Sequence, residues 1–199
     1  MKMIRLLPFI LCLFSAVVWA QQAMDMKNGQ GPYEIIDSTS KTIIDVLHDR
    51  SIDRFEKNSR ILSAVNELFN YEVMAKLSMG TRWLQMSPPQ RTEYVALFTE
   101  RVKRIYLGTL YNFTDQDIRV GPATQLGNEC VAVPTMLVNN GIRTEVVYKF
   151  HRSKPDQDAW RVYDIKIEGI SLVQAYHADF SSYMGTGCAT GLIEKLREH

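Results

Sequence analysis

The sequence predicts an α+β fold, a curved antiparallel sheet of about four strands wrapped by helices. Three observations predict it. Residues 32–113 place their apolar side chains at helical spacing. From Gln116 the period changes to two, and Asn139-Asn140-Gly141 marks a tight hairpin inside that stretch, the Asn-Gly pair supplying positive φ. From Ser171 helical spacing returns and runs to about residue 197. Helices that stand before and after a run of hairpin-linked strands give segregated rather than alternating topology.

Taken in order, Pro32 suits the first turn of a helix, and Ile35, Ile36, Ile43, Val46 and Leu47 supply its apolar face. A second helix is expected over 59–69, where Ile61, Leu62, Val65, Leu68 and Phe69 share a side. A short third segment, 71–77, leads to Gly80. Ser87-Pro88-Pro89-Gln90 then combines a cap, a first-turn proline and a capping-box glutamine. The helix it opens is long, reaching about Tyr111, and its apolar residues spread over more than one face. Such a helix is either central in the core or borders a second hydrophobic space.

In the sheet region 116–168, a short strand at 117–120 ends at Gly121-Pro122, and Gly127-Asn128 introduces a strand over 129–138. Beyond the hairpin, Ile142, Thr144, Val146, Tyr148 and Phe150 lie on one face, opposite Arg143, Glu145 and Lys149. The polar run 153–158 leads to Trp160. The stretch from Trp160 to Phe180, WRVYDIKIEGISLVQAYHADF, reads as strand, glycine turn and capped helix. Tyr163, Ile165 and Ile167 alternate with Val162, Asp164, Lys166 and Glu168, and Gly169 closes the strand. Ser171 with Gln174 forms a capping box, after which Leu172, Val173, Tyr176 and Phe180 make one apolar face. Two apolar faces thus turn toward one interior, while the acidic Asp164 and Glu168 fall on the polar side of the strand.

The run VYDIKIEGISLVQAYHADF resembles the signature of the MlaC-type, or toluene-tolerance, family, and KLSMGTRWLQMSPPQRTEYVALFTERVKRIYLGTL resembles that family's central helical segment. The resemblance implies a periplasmic carrier that holds a phospholipid by its acyl chains in a cone-shaped, NTF2-like scaffold, in an apolar pocket between sheet and helices. It implies two docking partners, an inner-membrane lipid-transport ABC complex and an outer-membrane lipoprotein–porin assembly, with the carrier maintaining outer-membrane lipid asymmetry. Periodicity together with the two resembling segments nominates acyl-tail contacts at Leu97, Phe98, Val102, Tyr106, Val146, Tyr148, Tyr163, Ile165, Ile167, Leu172, Val173 and Tyr176. Arg101, Lys103 and Arg104 form a basic cluster suited to a headgroup or an acidic partner, or simply to a solvated helix face. Trp83 is placed either at an end of the pocket or in the core.

The N-terminus carries its own compartment signal. Lys2 and Arg5 precede an apolar stretch, residues 6–18, shorter than the roughly 20 residues a membrane-spanning helix needs. Val18-Trp19-Ala20 resembles a cleavage site, so residues 1–20 read as a signal peptide and 21–199 as a single exported domain. Cleavage would remove two cations and shift the formal charge from +1 to −1, a balance that argues against nucleic acid as a partner. Cys130 and Cys188 remain after cleavage and, in an oxidising compartment, are candidates for one disulfide or for two buried thiols. Nothing in the sequence suggests an obligate oligomer, so a monomer is expected.

Enzymatic and metal readings find little support in the residues. Gly169-Ile170-Ser171-Leu172-Val173 lacks the second glycine of a nucleophile elbow, and the capping box already accounts for Ser171. His48, His151, His177 and His199 are scattered, and neither mature cysteine lies in a CxxC pair, so no metal site or cofactor is expected. Gly185, Gly187 and Gly191 follow a helix rather than a strand and carry no adjacent lysine. Besides the carrier, the residues leave open a small-molecule-binding or isomerase-like enzyme on a cone-shaped α+β fold, and a periplasmic structural adaptor with a solid core.

Overall fold

Helices, strands and helices again follow one another as the periodicity predicts. The computed structural model describes residues 31–110, 116–139, 141–152, 159–184 and 189–197; Tyr111, Cys188, the 153–158 connection and residues 1–20, the predicted signal peptide, therefore lie outside the described residues. Helix α1 spans Pro32–His48 and buries Pro32, Ile36, Ile43 and Val46 along one stripe. Helix α2 spans Arg54–Leu68, beginning before the predicted Ser59 because the Asp53 carboxylate accepts the Glu56 N–H at 2.8 Å. Helix α3 spans Tyr71–Met79, capped by Asn70, whose side chain accepts the Val73 N–H at 3.1 Å. A 3₁₀ turn, Gly80–Gln85, follows and carries Trp83 into the core. Gly80 has φ +56°, and a Cβ there would stand 2.9 Å from the His177 ring, so both backbone and space require glycine. Helix α4 spans Pro88–Leu110, and its Ser87 N–H donates to Gln90 Oε1 at 2.9 Å, half of the predicted capping box.

The strands are β1 Gln116–Val120, β2 Thr124–Gly127, β3 Cys130–Asn139, β4 Ile142–Arg152, β5 Trp160–Ile167 and β6 Ile170–Ser171. They form one open six-stranded sheet in the order β1-β3-β4-β5-β6, with β2 also on β3. The expectation of about four strands is corrected by β2 and β6, each too short for a period-2 pattern to register. β1 and β2 share one edge of β3, pairing with its two ends in turn. Pro134 sits between them. In an antiparallel strand a residue's N–H and C=O point to the same neighbour. The Pro134 carbonyl accepts the Gly121 N–H at 2.7 Å, so its missing N–H faces the gap between β1 and β2 and costs no ladder bond.

Strand β5 departs from simple alternation. Val146 pairs with Ile167, Tyr148 with Ile165 and Phe150 with Val162, with a register shift between Lys149 and Phe150. Tyr163 is the extra residue of a bulge. Ile165 and Ile167 keep their predicted face, but upstream it is Val162, fully buried, that takes the core position. A two-residue turn, Glu168-Gly169, joins β5 to β6, with φ of 48° and 80° as a type I′ hairpin requires.

Helices α5, Leu172–Met184, and α6, Ala189–Arg197, close the chain. The Gln174 N–H donates to Ser171 Oγ at 3.1 Å, so the cap predicted for α5 is present. Aromatic rings tie α5 to α4: Tyr94 meets Phe180 edge-on at 5.9 Å and Phe98 meets Tyr176 at 5.2 Å, while Tyr176 stacks on Phe180 within α5 at 5.3 Å. Each such pair contributes about 0.5–1.5 kcal/mol beyond the area it buries.

Candidate functional site

Between the β4–β5 face of the sheet and the helices lies a cavity of about 110 Å³. The sheet supplies Leu137, Thr144, Val146, Tyr148, Ile165 and Ile167; the helical half supplies Val65, Phe69, Tyr71, Val102 and Ile105; and α5 supplies Leu172 and Tyr176. The lining is aliphatic and aromatic, and its few polar atoms are hydroxyls. Val102, Val146, Tyr148, Ile165 and Tyr176 are buried, whereas Ile105 and Ile167 are about half exposed, at 51% and 43%, and mark the mouth. Ile170, cross-strand from Ile167 and 67% exposed, continues that apolar rim outward.

The predicted contact residues divide. Val102, Val146, Tyr148, Ile165, Ile167, Leu172 and Tyr176 line the cavity. Phe98 and Val173 are buried in the solid core behind it, and Leu97 packs against that core half-buried. The Tyr106 side chain lies outside the described residues. Tyr163 is a correction: the bulge turns it to the opposite face of the sheet, where its ring meets His151 at 5.8 Å and its hydroxyl stands beside the Cys130 thiol. Burial pushes that phenol up, and the thiol adds to the shift. The sequence reading missed Val65, Phe69, Tyr71, Ile105, Leu137 and Thr144. Val65, Phe69 and Thr144 stood on faces that the periodicity marks, but their own elements gave no sign that they face a void rather than a packed neighbour.

The cations separate as well. Arg101 is half-buried, Lys103 lies over the Tyr71 ring at 5.5 Å and pairs with Glu100 at 3.7 Å, and Arg104 is exposed. Trp83 belongs to the core; the Arg91 guanidinium covers its ring at 5.4 Å and Arg91 Nε donates to its carbonyl at 3.1 Å. Cys130 carries a free thiol.

Asp164 lies opposite Lys149, on the polar side as expected, yet it is only 3% exposed. The first turn of α5 covers it, so the polar side of the strand is not a solvated one. Its oxygens are engaged by the Ser171 hydroxyl, the Val173 N–H and Lys149 Nζ, which leaves this carboxylate a structural anchor. Ser171 both donates to Asp164 and accepts from Gln174, and His177 Nδ1 stands 3.0 Å from the Ser78 carbonyl, on another element.

A larger groove of about 610 Å³ opens between α1, α2 and the start of β5. Ser38, Thr39, Thr42, Glu67 and Arg161 line much of it. That wide, hydroxyl-rich surface suits water, whereas apolar ligand sites are enclosed and lined mainly by hydrophobic side chains. The smaller cavity is therefore the candidate site. Among the described residues, no helix is long and apolar enough to cross a membrane, and no group of three or more His, Cys, Asp or Glu could hold a metal ion.

The same architecture occurs in solved structures. A phospholipid-binding protein from Ralstonia solanacearum, described in complex with a phospholipid, is similar with a TM-score of 0.70 at 23% identity, covering 82% of this chain and 93% of that one. In sequence, the intermembrane phospholipid transport system binding protein MlaC of Haemophilus influenzae is 23% identical over 173 residues, 84% of this chain and 81% of that protein. The family model described as MlaC protein matches residues 37–198, nearly the whole described fold, and the chain belongs to that family.

Proposed function

We propose that this protein is a soluble periplasmic phospholipid carrier that takes lipid between an inner-membrane ABC transport complex and an outer-membrane lipoprotein assembly, and so maintains outer-membrane asymmetry. The observation that carries this reading is the cavity itself: an apolar lining drawn from sheet and helices, opening through a rim of half-exposed isoleucines. The names of the relatives point the same way, one a transport-system binding protein and one a phospholipid complex.

The energetics explain why the lining must be apolar. A diacyl lipid leaving a bilayer exposes on the order of 30 methylenes, each worth about 0.8 kcal/mol, or about 25 kcal/mol together. Headgroup contacts alone cannot offset that, so the tails must be enclosed. A cavity of about 110 Å³ is smaller than the roughly 150 Å³ void that admits benzene. Lipid entry therefore requires the walls to part, and the half-exposed mouth residues Ile105 and Ile167 are where that costs least packing. Transfer then exchanges two similar apolar environments, with direction supplied by the partners. The carrier acts as a monomer and needs no cofactor; phospholipid is its cargo.

The test is transfer between vesicles. Donor liposomes carrying labelled phospholipid are incubated with the protein and then separated from it. The carrier reading expects label in the protein fraction and its delivery to acceptor liposomes; label that stays in the donor at every protein concentration would overturn it.

A further inference from the structure

The cavity has a direction. Its β4 wall runs from Phe150, fully buried, through Tyr148 and Val146 to half-buried Thr144 and then to Ile142, 69% exposed. Strand β5 runs from core to solvent in the same sense, from Val162 to Ile167, and α4 does so from Phe98 to Ile105. Closed end and mouth therefore lie at opposite ends of the same three elements. Thr144 lines the cavity one pleat, about 7 Å, inside the outermost residue of its strand face. Its cross-strand partner is Leu137 and its inward neighbour on that face is Val146, neither of which can hydrogen-bond through its side chain. Among the described residues the Thr144 hydroxyl has no partner. The other hydroxyl-bearing residues of the lining are engaged: Tyr176 is bonded to the Arg101 side chain, Tyr71 lies under Lys103, and Tyr148, deeper along β4, has a partner of its own.

We propose that Thr144 reads the ester linkage of the cargo: its hydroxyl donates to one acyl-ester carbonyl of a diacyl lipid whose tails fill the cavity. The proposal rests on the carrier reading and adds linkage specificity to it. With the tails inside and the headgroup in water, the glycerol esters stand at the mouth, beside Ile105 and Ile167. Those isoleucines take water away from a carbonyl and return no hydrogen bond, and an unanswered buried acceptor is costly. Thr144 is the donor at that level. A threonine hydroxyl carries one proton, so it serves one of the two esters. An ether-linked lipid has no carbonyl to offer there; its linking oxygen lies within the chain, between methylenes.

The experiment uses the full chain, stripped of lipid, in native mass-spectrometric competition between dipalmitoyl phosphatidylglycerol and its dihexadecyl ether analogue. The two share headgroup, charge and chain length and differ at the linkage. The wild type is expected to favour the ester lipid about fivefold, the scale of one neutral hydrogen bond. Thr144→Val keeps the β-branched shape and removes the hydroxyl, and should bring the two lipids within about twofold of each other, the loss falling on the ester. Thr144→Ser, which keeps the hydroxyl, should retain the preference. A valine variant that keeps the wild-type preference, or that loses ester and ether lipid equally, overturns the assignment, as does a serine variant that behaves like valine. If the wild type takes up both lipids without discrimination, the role of Thr144 fails alone; if it takes up neither, the carrier reading fails with it.

Discussion

Asp164 and Ser171 bind each other across the β5–β6 turn: the Ser171 hydroxyl lies 2.9 and 2.8 Å from the two oxygens of the Asp164 carboxylate. The same carboxylate accepts the Val173 N–H at 3.2 Å and meets Lys149 Nζ at 3.0 Å. A strand residue thereby holds the first turn of α5, the helix that brings Leu172 and Tyr176 to the cavity. Replacing Asp164 by alanine strands Lys149 and unties that turn, and should cost about 3–5 kcal/mol. Ser171→Ala, which removes one hydroxyl from the cap, should cost about 1–2 kcal/mol. Urea denaturation measures both, and a loss below about 1 kcal/mol for Asp164→Ala would contradict the anchor.

At the mouth the balance between stability and binding reverses. Ile167 is 43% exposed, so Ile167→Glu should leave stability within about 1 kcal/mol of wild type. A carboxylate there places charge beside the path of an acyl chain, and vesicle-derived lipid bound at equilibrium should fall at least about tenfold. Unchanged uptake by the folded variant would remove Ile167 from the entrance.

Phe98 and Ile105 share α4 yet should behave oppositely. Phe98 is fully buried in the aromatic cluster, and Phe98→Ala should destabilise the fold by about 3–5 kcal/mol. Ile105 lines the cavity while 51% exposed, so Ile105→Ala should cost less than about 1 kcal/mol and weaken lipid binding instead. Thermal melts paired with lipid titration separate the two, and equal destabilisation would mean that the cavity is packed core.

Alkaline pH should destabilise the protein through its buried phenols. Burial raises the Tyr94 hydroxyl above the ordinary tyrosine range, with the Ser78 hydroxyl, 2.7 Å away, partly opposing the shift; Tyr163 and Tyr176 are raised too. A folded pKa above the unfolded one means that the unfolded chain loses its proton first as pH rises. The contribution is therefore intact below about pH 10 and is lost progressively above it. Urea midpoints should fall above that pH, and Tyr94→Phe should flatten the fall. A midpoint independent of pH between about 9 and 11 would contradict the assignment.

Much of this was legible in the sequence because period and punctuation are local. The Ser171–Gln174 cap, the Asn-Gly hairpin and the faces containing Val146, Tyr148, Ile165 and Ile167 could all be read from spacing. Tyr163 was misplaced because a bulge is set by pairing with β4, which no single strand's pattern records. Asp164 read only as a polar-side residue because its cover, Ser171 and the first turn of α5, lies seven and more residues on and only tertiary packing brings it back. Phe98 and Val102 are indistinguishable by helical spacing, and only the position of the opposite wall makes one core and the other lining. Val65, Phe69 and Leu137 escaped for the same reason.

The central claim is that the cavity holds phospholipid, and native mass spectrometry of the protein purified from a bacterial periplasm without detergent tests it most directly. The account predicts a stoichiometric adduct that extracts into organic solvent as phospholipid. A bare protein mass that stays bare after incubation with phospholipid vesicles would contradict it.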